Sequence, residues 1–192
     1  MSCWALLIAA ASLALVEALL YTFAPFHFRR GPLDEMGALK EACSYLLENS
    51  LEELMFIGFL LVILSRFIGW RIAILVLALP FGLFHLQGSG ISVASLKLVA
   101  SAAIYSFVFS LSYLLTGSMW TAISAHVTSN ILFHMLLGID GKNSGMFVQI
   151  SSGKIPGTYD LGFCALILGA LAISLLLYMS VSSKARRMSA VY

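Results

Sequence analysis

Charged side chains are scarce in this sequence. Only 10% of the 192 residues are Asp, Glu, Lys or Arg, against about 25% in a typical soluble domain, and 60% are hydrophobic. A soluble protein of this length cannot bury so much apolar surface, and a disordered chain would be far more polar. The net charge of +2 gives no reason to expect a nucleic-acid partner. The composition therefore predicts an integral membrane protein surrounded by the lipid bilayer.

Cysteine is scarce as well. The three cysteines, Cys3, Cys43 and Cys164, are far apart and lack the spacing of a disulfide framework or a cysteine metal site. We interpret them as small apolar side chains. They give no reason to expect a metal or another cofactor.

The apolar runs predict about six transmembrane helices in a single domain of residues 1–192. A helix needs about 20 apolar residues to cross a bilayer. Residues 98–139 contain no Asp, Glu, Lys or Arg, which leaves room for two spans and a turn at 116–118. The other expected spans are 1–28, 54–64 (the end of a helix that begins amphipathic near residue 33), 72–84 and 161–183. We therefore expect an all-α, polytopic membrane helix bundle.

The basic residues bear on the orientation of this bundle. Arg66 and Arg71 bracket a predicted turn, and Lys184, Arg186 and Arg187 end the last span on the same side. The other side holds Arg29, Arg30, Lys40, Lys97, Lys142 and Lys154, so a count of five against six does not decide the orientation. We place the first side in the cytoplasm because its basic residues are concentrated in the tail and in the tight turn between Arg66 and Arg71. The polar segment 141–160 would then lie on the outer side, either bordering a substrate entrance or forming an ordinary loop.

Ionisable groups inside a bilayer are costly and are functional candidates by default. Glu52 and Glu53 are neighbours on a predicted helix and point about 100° apart, so one can serve a reaction while the other supports it. The alternative is a pair of surface charges where an amphipathic helix enters the membrane. The full set comprises Glu17, Glu48, Glu52, Glu53, His85, His126 and His134, with Asn130 as a buried amide.

Histidine and asparagine side chains can complete a site with these carboxylates. His126 and Asn130 are four residues apart and share a helix face, whereas His134, one turn later, is expected to pack or support. His85 follows Phe81 by one turn at the end of its span. The predicted up-and-down order of the helices brings Glu52, His85 and His126 into one half of the membrane, where one cavity could hold them.

The chemistry of this set favours hydrolysis. A glutamate and a histidine can hold and deprotonate a water, while a second histidine and an asparagine can donate hydrogen bonds to an oxyanion. No serine or cysteine is evidently paired with a base and an orienting acid, and the zinc-protease motif HExxH is absent. A metal bound by Glu52, His85 and His126 is chemically allowed and stays open as an alternative.

Three motifs resemble the CAAX-protease-and-bacteriocin-processing (CPBP, or Abi) family, whose signatures are EExxxR, FxxxH and HxxxN on successive membrane helices. Here they begin at Glu52, Phe81 and His126, within residues 45–135. The resemblance implies a glutamate-type intramembrane endopeptidase without a metal or other cofactor. Glu52 would activate water, His85 would help to hold it, and His126 and Asn130 would form the oxyanion site, with Glu53 and Phe81 in supporting roles.

The resemblance also implies a substrate class and a location. Members cleave prenylated CAAX tails, process bacteriocins and signal peptides, or sort C-terminal membrane anchors, so the expected substrate is a membrane-anchored or lipid-modified protein or peptide. We expect a multi-pass integral protein of a prokaryotic cytoplasmic membrane. One position departs from the motif, because Ile57 stands where the family has arginine. The departure keeps open a non-proteolytic membrane protein, such as an immunity factor, chaperone or transporter subunit.

Overall fold

The computed structural model describes residues 26–86, 90–136, 145–151 and 158–189, and these are mostly helical. Two short π-helical segments, Leu54–Leu61 and Ile131–Leu136, continue the α-helices Glu35–Glu53 and Met119–Asn130. In chain order the other elements are β1 (Phe26–Arg30), α1 (Glu35–Glu53), α2 (Val62–Phe84), α3 (Val93–Thr116), α4 (Met119–Asn130), β2 (Phe147–Ser151) and α5 (Thr158–Ser189).

The polar residues at the helix ends explain where the helices begin and stop. Asp34 caps α1, because its Oδ1 accepts a hydrogen bond from the Gly37 N–H at 2.7 Å. Ser92 and Ser95 cap each other's backbone at the start of α3. Gly117 ends α3 in the left-handed conformation, with φ 73°, which a glycine adopts at little cost. The predicted turn at 116–118 is confirmed.

The helical stretch from Leu54 to Phe84 forms a hairpin that reverses at Gly69. This glycine has φ 76° and ψ 150° and interrupts α2 between Arg66 and Arg71, where the sequence predicted a turn. The two arms run antiparallel, since the ring of Phe56 before the break lies 5.0 Å from that of Phe81 after it. The predicted spans 54–64 and 72–84 are therefore the two arms of one hairpin.

Two helical stretches are long and apolar enough to cross a membrane within the described residues, namely Glu35–Phe84, which contains the hairpin, and Ser95–Thr116. A shorter apolar helix covers Gly169–Lys184. Many large apolar side chains on these helices are exposed, for example Phe67 at 81% and Leu79 at 63%. A surface of this kind suits lipid rather than water. The predicted first span, residues 1–28, lies outside the described residues except for 26–28.

A small antiparallel sheet departs from the all-α expectation. Strand β1 pairs with β2, with Phe26 opposite Ser151 and Arg30 opposite Phe147. Residues 26–28 are therefore a strand and not the end of a helix. Part of the expected loop 141–160 also belongs to β2 and to the start of α5. The pairing gives hydrogen-bond partners to backbone groups of the two strands.

Helix α3 packs against α2, α4 and α5 and forms the centre of the bundle. It carries small buried hydroxyl residues, Ser106, Ser110 and Ser112, which let helices approach closely. Helix α2 approaches it closely at Gly82, where an added Cβ would lie only 2.6 Å from the Val99 carbonyl oxygen. At the other end of α3, Lys184 of α5 donates a hydrogen bond to the Leu115 carbonyl at 2.9 Å.

Candidate active site

The two adjacent glutamates end α1 and face different histidines. Glu52 is partly exposed and lies beside His85, whereas Glu53 is fully buried and lies beside His126. We refer to these four side chains as the carboxylate–imidazole cluster. It lies at the open end of the hairpin, roughly 25 Å along the helix axis from the Gly69 break. Three separate elements, α1, the end of α2 and α4, therefore bring the predicted residues together.

Glu52 and His85 face each other at a distance too long for a direct hydrogen bond. The Glu52 Oε2 and His85 Nε2 atoms are 3.8 Å apart. The other ring nitrogen of His85, Nδ1, lies 2.9 Å from the Phe81 carbonyl oxygen. Because a carbonyl oxygen can only accept, Nδ1 carries the hydrogen, and Nε2 of the neutral ring presents a lone pair towards Glu52. Both facing atoms are then hydrogen-bond acceptors.

Glu53 and His126 make a direct buried contact. The Glu53 Oε1 and His126 Nδ1 atoms are 2.8 Å apart, and both side chains are almost wholly buried. The imidazole also stacks on Phe109, with ring centroids 4.4 Å apart and an interplanar angle of 17°. A carboxylate at one edge and an aromatic ring on one face fix the orientation of this histidine.

Phe81 lies between the two histidines. Its ring centroid is 5.2 Å from that of His85 and 6.0 Å from that of His126, and its side chain is buried. Its carbonyl also accepts the His85 Nδ1–H described above. Phe81 therefore supports one histidine through its backbone and contacts both through its ring.

Asn130 lies one turn after His126, and its Nδ2 donates a hydrogen bond to Asn49 Oδ1 at 3.2 Å. Sequence reasoning missed Asn49, which is only 3% exposed. A signal was present, because Asn49 precedes Glu52 and Glu53 by three and four residues and so shares their side of α1. Because Asn49 belongs to a helix whose first half is polar, the sequence pattern indicated a solvent-exposed side chain.

The remaining ionisable candidates have other surroundings. Glu48 is exposed on α1, and His134 lies in the second π-helical segment, half-buried and in contact with other groups. Glu17 lies outside the described residues. Ile57 is 1% exposed, one turn after Glu53, so an apolar core side chain occupies the position of the motif arginine.

One group of donor atoms could hold a metal ion. Glu52, His85 and His126 each offer a ligand atom, and these atoms lie within 4.8 Å of one another. Zinc ligands at about 2.0 to 2.1 Å from the ion are about 3.3 Å apart in tetrahedral geometry. Two groups that share a water at about 2.8 Å are about 4.6 Å apart. The 3.8 Å between Glu52 Oε2 and His85 Nε2 lies between these two values, so this separation by itself does not distinguish a shared water from a zinc ion.

The chain matches one protein-family model, described as type II CAAX prenyl endopeptidase Rce1-like, over residues 38–132. That range contains all six predicted site residues and runs from α1 to the second π-helical segment. No curated protein and no solved structure matches the chain significantly. The family match agrees with the three motifs and confirms the resemblance seen in the sequence. The match supports membership of the CPBP family and, at the level of the family, a CAAX-type intramembrane endopeptidase.

Proposed function

We propose that this protein is an intramembrane endopeptidase that cleaves a membrane-anchored or lipid-modified protein or peptide with an activated water. Glu52 is the general base, His85 holds the same water, and His126 and Asn130 donate hydrogen bonds to the oxyanion. The observation that carries the proposal is the Glu52–His85 pair, in which two acceptors face each other 3.8 Å apart. Membership of a family of CAAX-type endopeptidases supports the reaction class.

The Glu52–His85 pair is suited to orienting a water. A water that donates one hydrogen to Glu52 Oε2 and the other to His85 Nε2 keeps its lone pairs free for attack. Among the described residues, the buried Oε2 of Glu52 has no hydrogen-bond partner, and a buried acceptor of this kind needs one. Transfer of a proton from the water to Glu52 would then generate the nucleophile.

The Glu53–His126 pair supports a donor role for His126. A fully buried pair is costly when it carries an uncompensated charge, so a net-neutral pair with one shared proton is favoured. The proton lies either on His126, giving an ion pair, or on Glu53, which then donates to Nδ1. In both arrangements His126 Nε2 keeps its hydrogen. His126 can therefore donate to the negative oxygen that develops when water attacks a peptide carbonyl.

The surroundings of the site support an apolar or lipid-bearing substrate. The first π-helical segment adjoins Glu53 and contributes exposed apolar side chains, including Leu54, Met55 and Phe59. A peptide carrying a membrane anchor or a lipid group could approach across such a surface without leaving the bilayer. The description of the matching family, CAAX prenyl endopeptidase, fits a substrate of this kind.

Glu52→Gln tests the proposal, because the amide keeps the size of the carboxylate but cannot take a proton. We expect cleavage to fall by about 10² to 10⁴-fold. The membrane proteome of cells carrying the wild type or the variant would be compared for uncut precursors. Glu48→Gln is the matched control, since it makes the same change at an exposed position on the same helix. Normal processing by Glu52→Gln would overturn the proposal and favour a non-proteolytic role.

A metal-dependent hydrolase is the second candidate, and the grouping of Glu52, His85 and His126 favours it. In that case His126 would use the lone pair of Nε2, since Nδ1 faces Glu53. Elemental analysis of the purified protein and cleavage in the presence of a chelator distinguish the candidates. Stoichiometric metal, together with activity that a chelator removes and the metal restores, would favour the second candidate.

A further inference from the structure

Asn49 is a buried amide beside the proposed site for which sequence reasoning gave no role. It is 3% exposed, and its Oδ1 accepts the hydrogen bond from Asn130 Nδ2 at 3.2 Å. Its own Nδ2 is buried and has no hydrogen-bond partner among the described residues. A buried amide that only stabilised the fold would be expected to have both of its ends satisfied.

The contact with Asn49 decides which end of the Asn130 amide faces which way. An asparagine amide has a donor end and an acceptor end, and its terminal torsion is soft. In the structure Asn49 presents its oxygen to Asn130, and with that acceptor in place the orientation in which the Asn130 nitrogen faces it is favoured over the reverse, which would bring two oxygens together. That nitrogen has a second hydrogen, which stays available for another acceptor. Without Asn49, the Asn130 amide could rotate so that its oxygen replaces the N–H that would face the oxyanion. An amide oxygen there would repel the oxyanion.

We propose that Asn49 is a positioning residue that fixes the Asn130 amide with an N–H directed at the oxyanion, an inference that rests on the proposed function. Asn49 acts through Asn130 and does not take part in proton transfer. It also lies on the same side of α1 as Glu52 and Glu53, so one helix carries the base and the group that orients the oxyanion donor.

Asn49→Leu removes both polar ends while keeping a similar volume. The probe is a fluorescence-quenched, prenylated CAAX peptide, cleaved by the full-length protein in lipid. We expect kcat to fall about 10- to 100-fold, as for other groups that orient active-site residues, while KM changes less than about 2-fold because the contact acts on the transition state. Ser50→Ala is the neighbouring control, because among the described residues the Ser50 hydroxyl bonds only to its own helix, at the Leu46 carbonyl.

A double-mutant cycle with Asn130→Leu separates positioning from a structural effect. If Asn49 acts through Asn130, the double variant has the same kcat as Asn130→Leu alone. Thermal stability is measured for every variant, and Asn49→Ser, whose shorter side chain cannot reach Asn130, replaces Asn49→Leu if that variant does not fold. A wild-type kcat in Asn49→Leu, or multiplicative losses in the double variant, overturns the inference.

Glu52→Gln in the same assay separates this inference from the proposed function. If Glu52→Gln abolishes cleavage while Asn49→Leu has a wild-type kcat, only the role of Asn49 is wrong. If Glu52→Gln cleaves the peptide at the wild-type rate, the proposed function is wrong and the inference is overturned with it.

Discussion

Glu53 and Ile57 lie one helical turn apart and show how this chain handles a buried charge. In the family motif, an arginine at the position of Ile57 would offer a positive group to the carboxylates. Here Ile57 is packed into the apolar core, and the contact with Glu53 comes from His126 on another helix. The second oxygen of Glu53 has no partner among the described residues. The pair formed with His126 therefore depends on the packing of α4 against α1.

Ile57→Arg tests whether an arginine at the motif position would interact with the Glu53 carboxylate. The larger side chain should lower the free energy of unfolding by about 1 to 3 kcal/mol through overpacking, with part of that loss offset by contact with Glu53. In a Glu53→Gln background the arginine would lack that charged partner. We therefore expect a coupling of about 0.5 to 3 kcal/mol between Ile57→Arg and Glu53→Gln in the free energy of unfolding. Chemical denaturation in detergent micelles measures it. Additive losses would show that the two positions do not interact.

Much of the candidate site could be predicted at the residue scale, because carboxylates and imidazoles are conspicuous in apolar segments. Glu52, Glu53, His85 and His126 stand out for this reason, and the structure brings them together. Asn49 could not be selected in this way. It follows a polar helix start, and only the packing of α4 against α1 shows that its side chain is buried and faces Asn130.

At the scale of elements, the contact between α2 and α3 positions the site. Gly82 lets α3 approach α2, and a side chain there would collide with the Val99 carbonyl and the Ala103 side chain. His85 lies one turn later on the same helix and caps its end. The spacing of the two helices therefore affects where the His85 imidazole lies relative to Glu52.

Gly82→Val should force α2 and α3 apart. We expect the free energy of unfolding to fall by about 1 to 3 kcal/mol, and cleavage to fall as well because His85 moves with α2. Thermal unfolding and the peptide assay would be measured together. Gly90→Val is the control, since an added Cβ at Gly90 meets nothing within 4 Å. Equal stability of the two variants would contradict the tight α2–α3 contact.

The hairpin was predictable from Arg66 and Arg71, but the small sheet and the π-helical segments were not. Residues 54–61 form a uniformly apolar run, and its sequence pattern does not distinguish π-helical from α-helical hydrogen bonding. The strands β1 and β2 are five residues each and far apart in the chain. Pairing of such short segments depends on the helices that bring them together, and so it leaves little trace in the sequence.

At the scale of the whole molecule, charge is divided between the two ends of the bundle. Arg66, Arg71 and Lys184 lie at the end that holds the Gly69 and Gly117 turns, and the carboxylate–imidazole cluster lies towards the other. Arg71 lies over the Trp70 ring at 4.9 Å, and Trp70 contacts Tyr178. Tryptophan, tyrosine and arginine together are typical of a membrane–water interface. Because such residues occur at both faces of a bilayer, the orientation in which the turns face the cytoplasm stays a prediction.

Cysteine labelling tests this orientation. In a variant whose native cysteines are replaced by serine, a single cysteine would be placed at Phe67 or at Ile91, which are 81% and 87% exposed. We expect a membrane-impermeant maleimide to label Ile91→Cys in intact cells, and Phe67→Cys only after permeabilisation. A permeant maleimide serves as the control for reactivity. The reverse pattern would place the cluster towards the cytoplasm.

The hairpin has a consequence for biogenesis. Glu52, Glu53 and His85 belong to one hairpin, whereas His126 is made some forty residues after His85. The nascent hairpin would therefore enter the membrane with Glu53 lacking its imidazole partner. A carboxylate in that position costs a few kcal/mol on insertion scales. The hairpin should consequently stay near the translocon or at the membrane surface until α4 emerges from the ribosome. Membrane integration of the hairpin would then depend on the synthesis of the helix that completes the site.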